Sequence, residues 1–282
     1  MNICCVIVTY NIGKEILRTY QSIEKQVNKV IFVDNGSNDA TVSVLKEISY
    51  NNENCDVIFC KKNEGIARAL NIGIKKGISL YNADFILTLD HDSIASENMV
   101  KKMMAVYERL KDKENIAILS PAIYDINKKD YLTTVNDKEF QNIKEPIQSG
   151  SLIKANIFKE IGFYNEKLFI YYVDTDLCYR LLLANYSLIQ CNKAILNHEE
   201  GKKTSKKVLG KIVFYNNYGN NAVYYRARNN IYMRKKYKNY FESKDRLLKD
   251  FIKILIFDSH KMKKNKYHLL GVIHGLFGIY KK

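Results

Sequence analysis

The feature that most limits how this chain can fold is a regular beat of short apolar runs and amphipathic stretches over its first 125 residues. Strand-like runs occupy 3–9, 30–33, 57–60, 85–89 and 116–119. Between them, 15–26, 40–48, 66–78 and 98–110 carry apolar residues at helical spacing. Asp39 and Ser96 stand where N-caps of the second and fourth helices are expected. Such alternation implies right-handed crossovers and an α/β fold, a mostly parallel sheet flanked by helices. Ligands of such sheets gather outside the carboxyl ends of the strands. Four polar clusters follow the strands: Thr9-Tyr10-Asn11, Asp34-Asn35-Gly36-Ser37, Asn63-Glu64-Gly65 and Asp90-His91-Asp92. They are expected to meet along one edge.

With 282 residues there is room for one large domain, or for a core with an appendage. Hydrophobic residues at 46% and charged residues at 27% argue against wholesale disorder. Residues 126–200 are less regular and contain Gln148-Ser149-Gly150-Ser151, Ile161-Gly162-Phe163 and Asp174-Thr175-Asp176. From about residue 205 the chain turns basic and tyrosine-rich, with helices expected over 224–237 and 245–258. The stretch 268–280 is short and interrupted by glycine. Much of the net charge of +15 lies here, in Lys202, Lys203, Lys206, Lys207, Lys211, Arg226, Arg228 and Arg234-Lys235-Lys236. That bias favours phosphate-rich partners, whether nucleic acid, anionic lipid or a lipid-linked intermediate, and is equally a solvated surface.

Six cysteines form no CxxC pair, and several sit inside apolar runs, as expected for buried thiols of a reducing compartment. The start, Met1-Asn2-Ile3-Cys4, lacks a basic region followed by an apolar stretch. No apolar run reaches the roughly 18 residues of a membrane span. A cytoplasmic location is the expectation.

Two carboxylates one residue apart, Asp90 and Asp92, can approach one hard cation at a strand end, and a divalent ion there would bridge diphosphate oxygens. A surface turn or helix cap also accounts for the pattern. An oxygen of Asp34 or Asn35 can accept the ring N–H of uracil or thymine, although Asp-Asn-Gly is also a turn sequence. Thr9-Tyr10-Asn11 carries the same two readings. Gly65 opens a helix with Arg68 in its first turn, an arrangement that can meet an anion, while Ala67, Ala69 and Gly73 suit close helix packing. Asp176 and Arg180, four apart, can form an ion pair on a helix.

Neither G-x-G-x-x-G nor the P-loop pattern follows the first strand, where the sequence is Tyr10-Asn11-Ile12-Gly13-Lys14-Glu15. Dinucleotide-dependent oxidation and P-loop chemistry are thereby disfavoured. A nucleotidyltransferase on a similar sheet is one alternative. Another is a basic nucleic-acid-binding protein, with tyrosines interleaved among Arg226, Arg228 and Arg234. No recognised nucleic-acid motif accompanies them, and acidic strand ends repel a polyanion, so no nucleic-acid partner is expected.

Taken in order, Val8-Thr9-Tyr10-Asn11, Val33-Asp34-Asn35-Gly36-Ser37, the run Asn63-x-Gly65-x-Ala67-x-Ala69-x-Asn71-x-Gly73 and Asp90-x-Asp92 resemble the successive motifs of glycosyltransferase family 2. The similarity continues through Ser149-Gly150-Ser151, Ile161-Gly162-Phe163 and residues 168–180, the last most like the rhamnosyltransferase-like branch. It runs from residue 3 to about 200, with weaker echoes at 225–230 and 271–278.

The resemblance implies a GT-A fold and inverting transfer of a sugar, possibly rhamnose, from a dTDP- or UDP-linked donor. The acceptor would be a glycan or polyprenyl-linked molecule in cell-surface polysaccharide synthesis. Thr9, Tyr10, Asn11, Asp34 and Asn35 would line the nucleoside pocket, with Asn63 and Arg68 also on the donor. Asp90 would lie near ribose and metal, and Asp92 and His198 would complete the site for Mn²⁺ or Mg²⁺. Asp174 matches the family's base, with Asp176 and Arg180 in support. Residues 1–205 would form the catalytic domain, 1–125 its nucleotide-sugar half and 126–205 its acceptor half. Residues 206–282 would be a basic, mostly helical extension able to contact a membrane peripherally.

Overall fold

In the computed structural model, which describes residues 1–198, 204–208, 211–215, 218–242, 247–258 and 260–280, the first apolar run becomes the axis of the sheet. All seven residues of β1 (Ile3–Thr9) are buried. A strand covered on both faces reads as a continuous apolar run, with no polar alternation. β1 lies between β2 (Lys29–Asp34) and β4 (Phe85–Asp90), parallel to both, and β3 (Cys55–Phe59) extends the parallel set beyond β2. The intervening helices are α1 (Ile16–Ile23), α2 (Asp39–Asn51) and α3 (Ile66–Tyr81). Gly73 lets α3 lie close on the sheet, since a Cβ there would sit 2.5 Å from Val6 Cγ1 and 2.9 Å from Val33 Cγ2.

Beyond β4 the sheet becomes mixed. Its order is β3-β2-β1-β4-β9-β6-β10-β5, with β9 (Leu152–Lys154) antiparallel to β4 and to β6 (Ile116–Asp125). β10 (Ser187–His198) runs parallel to β6, and β5 (Ile94–Ala95) pairs antiparallel with its end. Short β7 (Asp130–Tyr131) and β8 (Phe140–Asn142) border β6 and β10. Helices α4 (Met99–Arg109), α5 (Ile157–Glu160) and α6 (Val173–Leu183) complete this part. The α/β architecture expected from the alternation, a mostly parallel sheet flanked by helices, is the one observed.

Two expected caps are corrected. Asn38, and not Asp39, caps α2 by accepting the Thr41 N–H at 3.3 Å, leaving Asp39 as the first helical residue. There its charge still favours the positive end of the helix. Ser96 does not cap α4, which begins after Asn98 in the left-handed region at φ 57°. The Ser96 N–H is committed to the Ile195 carbonyl at 3.0 Å, which holds the residue to the sheet edge. The twelve-residue β10 is hidden in the sequence by Asn192-Lys193 and by a register shift between Cys191 and Ile195.

Two compact units result, Met1–Glu166 with Val173–Glu200, and Lys167–Tyr172 with Gly201–Lys282. The second contains an antiparallel pair, β11 (Thr204–Val208) and β12 (Lys211–Tyr215), and helices α7 (Asn220–Tyr237), α8 (Leu247–Phe257) and α9 (Lys261–Phe277). The helices expected over 224–237 and 245–258 correspond to α7 and α8. Asp245, Lys202 and Lys203 lie outside the described residues.

Within this unit, Phe169, Tyr171 and Tyr172 have φ of 64°, 63° and 61°. The left-handed region is unfavourable for bulky residues by about 1–2 kcal/mol each. Buried donors from α7 offset that cost. Asn229 Nδ2 lies 2.8, 2.8 and 3.0 Å from the carbonyls of Leu168, Ile170 and Tyr171, and an Arg228 nitrogen lies 2.6 Å from that of Lys167.

Candidate functional site

The polar clusters meet because β2, β1 and β4 end together. Thr9 lies opposite Asp34, and Val8 opposite Asp90. Buried Thr9 donates its hydroxyl to Asp34 Oδ1 at 3.1 Å, while Asp34 Oδ2 accepts the Ser37 N–H at 3.0 Å. Buried Asn35 donates to Asn63 Oδ1 at 3.2 Å and accepts the Glu64 N–H at 2.8 Å. Asn11, at φ 51°, accepts the Asn38 N–H at 2.8 Å, which ties the turn after β1 to the start of α2. Gly36 is required where these turns meet, since at φ +79° a Cβ would sit 2.6 Å from the backbone of Lys62. Thr9, Asn11, Asp34, Asn35 and Asn63 thus form one bonded cluster, with Tyr10 exposed beside it. Arg68 is engaged at 3.6 Å by Glu64, in the turn just before its helix.

Asp90, Asp92 and His198 are drawn together by the short return strand. The chain leaves β4 at Asp90, turns through 91–93 and enters β5, which pairs with Leu196 and Asn197 next to His198. The turn is anchored by Thr19, whose hydroxyl donates to the His91 carbonyl at 2.7 Å. One ligand atom from each of Asp90, Asp92 and His198 lies within 4.8 Å of the others. That suits a single divalent ion, across which opposed oxygen ligands stand about 4–5 Å apart. Two carboxylates with an imidazole suit Mn²⁺ somewhat better than the harder Mg²⁺.

A relay of hydroxyls backs this group. The Asp90 N–H donates to Ser149 Oγ at 3.0 Å, Ser149 Oγ donates to Ser93 Oγ at 2.9 Å, and Ser93 Oγ lies 3.1 Å from His198 Nδ1. With Nδ1 so engaged, Nε2 is the ring nitrogen left for a cation. Burial, together with the negative charges of Asp92 and Asp174, pushes the Asp90 carboxyl up to about 7. A cation would relieve all three effects.

Asp174 lies in the first turn of α6. Its Oδ2 accepts the Gln148 N–H at 3.3 Å and its Oδ1 the Thr175 N–H at 2.8 Å. Burial raises its carboxyl above the ordinary value in spite of these bonds. Asp176 and Arg180 face away from this chemistry. Fully buried Asp176 accepts Arg180 Nε–H at 3.0 Å, and the rest of the guanidinium binds the carbonyls of Ile161, Gly162 and Phe163.

Ser93 was not singled out by the sequence reading, and Gln148 and Ser149 had no individual role there. Single hydroxyl and amide residues in loops give no spacing signal. Gln148 offers its backbone N–H to Asp174, while its buried side-chain nitrogen has no partner among the described residues. Arg18 was also missed. It lines a small cleft of about 60 Å³ with Glu15, His91 and Asp92.

A family model described as glycosyl transferase family 2 matches residues 4–177. The chain belongs to glycosyltransferase family 2. Among curated members it is 32% identical over 204 residues to the dTDP-rhamnosyl transferase RfbF of Shigella flexneri, covering 67% of this chain and 65% of that protein. It is 24% identical over 215 residues to a low-salt glycan biosynthesis hexosyltransferase of Haloferax volcanii, covering 69% and 66%. The chain thus spans about two thirds of the length of these relatives. Among solved structures, GalNAc-T7 with UDP, GalNAc and Mn²⁺ superposes with a TM-score of 0.64 at 15% identity, covering 99% of this chain and 56% of that one. S. aureus TarS 1–349 in complex with UDP gives 0.54 at 16% identity, covering 99% and 72%. These likenesses establish the GT-A fold expected from the motifs, and the family 2 chain is rhamnosyltransferase-like in sequence.

Proposed function

We propose that this glycosyltransferase moves a sugar, in the first instance rhamnose, from a dTDP- or UDP-linked donor to a hydroxyl of a glycan or polyprenyl-linked acceptor, with inversion, in the synthesis of cell-surface polysaccharide on the cytoplasmic side. The observation that carries the proposal is the convergence of Asp90, Asp92 and His198 at the strand ends, with Asp174 near enough to act on the charge of Asp90. The name of the Shigella relative supports a dTDP-rhamnose donor, and the UDP held by the solved relatives supports a nucleoside diphosphate.

In this reading Thr9, Tyr10, Asn11, Asp34, Asn35 and Asn63 receive the nucleoside, with Arg68 near the donor. Residues 1–125 form the donor half, 126–205 the acceptor half, and 206–282 a basic extension. Asp90, Asp92 and His198 hold Mn²⁺ or Mg²⁺, whose chemistry is to neutralise the charge of the departing diphosphate. Asp174 takes the proton of the acceptor hydroxyl as that oxygen bonds to the anomeric carbon. The bond from that carbon to the diphosphate oxygen breaks on the opposite face, and the nucleoside diphosphate leaves with the electron pair. A raised carboxyl is a stronger base than an ordinary aspartate once ionised, which favours this role. Asp176 and Arg180 support the loop at 161–163.

A calorimetric panel of dTDP- and UDP-sugars with Mn²⁺ and with Mg²⁺, followed by product analysis of the donors that bind, tests the proposal. The expected result is metal-dependent binding of at least one donor and release of its nucleoside diphosphate. Binding of none would overturn it, and release of pyrophosphate from a nucleoside triphosphate would replace it with nucleotidyl transfer.

A further inference from the structure

Helix α9 is inside out. Its buried side carries Lys264, Asn265, His268, Gly271 and Gly275, and the two glycines lie against α7. A Cβ at Gly271 would stand 2.4 Å from the Tyr224 carbonyl oxygen, and one at Gly275 2.7 Å from that of Arg228. The opposite side holds Met262, Leu269, Leu270, Ile273, Leu276 and Phe277, all exposed, with Met262 at 83% and Phe277 at 77%. Their spacing of three, four and seven places them on one stripe about a third of the circumference wide. An ordinary surface helix turns such a stripe inward, whereas here small and polar residues are inward and the bulky apolar ones meet water. Helix α8, which has no buried residue, also exposes apolar side chains, Leu248, Ile252, Leu255 and Ile256, at helical spacing.

Charge identifies the partner. Lys249, Lys253, Lys261, Lys263 and Lys266 are all exposed, whereas Asp250 and Asp258 are the only acidic residues from 247 to 280. Asp258 is itself bonded to buried Lys264 at 2.5 Å. A second copy meeting this face through its own would oppose five lysines with five, without acidic complement. An anionic bilayer supplies both missing phases, acyl chains for the leucine and isoleucine stripe and lipid phosphates for the lysines flanking it. The alkyl stems of those lysines reach past apolar neighbours to the headgroup level. No described helix is long and apolar enough to cross a membrane, so the geometry is that of helices lying in the interface. We infer that α8 and α9 form a membrane-docking surface that inserts apolar side chains into, and is held by, the anionic face of a lipid bilayer.

Vesicle flotation of the full chain tests this independently of any sugar transfer. Vesicles of equal parts phosphatidylcholine and phosphatidylglycerol are expected to float the protein, those of phosphatidylcholine alone to float it poorly, and added salt to weaken the binding. The double variant Leu269→Glu/Ile273→Glu should lose binding by about tenfold or more while keeping its far-UV circular dichroism and melting temperature, because these side chains face water in the free protein. The variant Lys249→Glu/Lys253→Glu/Lys266→Glu should lose the preference for phosphatidylglycerol. Absence of binding to either vesicle, or equal binding by the first variant, would overturn the inference. So would a dimer in solution that Ile273→Glu splits without affecting lipid binding.

Discussion

Arg180 donates its Nε–H to Asp176 at 3.0 Å and spends its remaining donors on three consecutive carbonyls, those of Ile161, Gly162 and Phe163. The pair is a clamp between the first turns of α6 and the bend before Tyr164. Asp176 is completely buried, so deleting Arg180 removes the cation paired with a buried charge. Breaking a buried pair from one side costs about 3–5 kcal/mol. Arg180→Met and Asp176→Ala are therefore expected to lower the melting temperature by many degrees, and urea unfolding measures the loss. A variant that lost transfer activity with its unfolding midpoint unchanged would move the pair from support into the chemistry.

Asp174 separates function from stability. Its folded carboxyl is raised by burial above the ordinary 3.8. A group raised on folding contributes stability that is complete below its unfolded value and is lost as the pH climbs through its folded value. At neutral pH the ionised carboxylate is thus a burden on the fold. Asp174→Asn, scanned by calorimetry in EDTA, should melt at or above the temperature of the parent at pH 7, and the difference should shrink towards pH 4. Transfer by the same variant should be abolished while donor binding is spared. A variant that melts lower at pH 7 than at acid pH, relative to the parent, would reverse the sign argued here.

The sheet was legible where one residue type repeated for one reason. Buried strands read as apolar runs, and the residues after them read as a site because the strands from β1 to β4 agree in direction and so end along one edge. Beyond β4 that agreement ends. β9 inserts between β4 and β6, and β10 must pass the polar pair Asn192-Lys193 and a bulge, so period alone does not find it. His198 was reachable only through the resemblance, since its place depends on the two-residue strand β5. The relay through Ser93 and Ser149 had no sequence signal, because hydroxyls are common and only their distances give them meaning. Helix α9 was obscured by the glycines that let it lie against α7.

The cysteines give a solvent-side check on the core. Cys4, Cys5, Cys55, Cys178 and Cys191 are buried, and Cys60 is half-buried. Burial pushes the Cys4 thiol up to about 11 and those of Cys55 and Cys191 up to about 12. Because the thiolate is the reactive species, alkylation at pH 8 should be slow at these sites. Iodoacetamide labelling followed by mass spectrometry is expected to modify Cys60 first, and all six together only in denaturant. Rapid labelling of Cys5, in the middle of β1, would contradict the sheet order itself.

Ser93 should control metal affinity without touching metal. Its hydroxyl stands between His198 Nδ1 and Ser149 Oγ, at 3.1 and 2.9 Å, and Ser149 in turn holds the backbone of Asp90. If His198 Nε2 faces the cation, Nδ1–H donates to Ser93 Oγ, which fixes both tautomer and ring orientation. Loss of such a partner commonly weakens a metal about 10–100-fold. Titration with Mn²⁺ followed by electron paramagnetic resonance should therefore show Ser93→Ala weakened by that factor, Asp92→Ala without measurable binding, and Ser93→Thr close to the parent because the hydroxyl is kept. Equal Mn²⁺ affinity in Ser93→Ala and the parent would exclude the relay as an orienting device and leave His198 to be tested as a ligand by its own substitution.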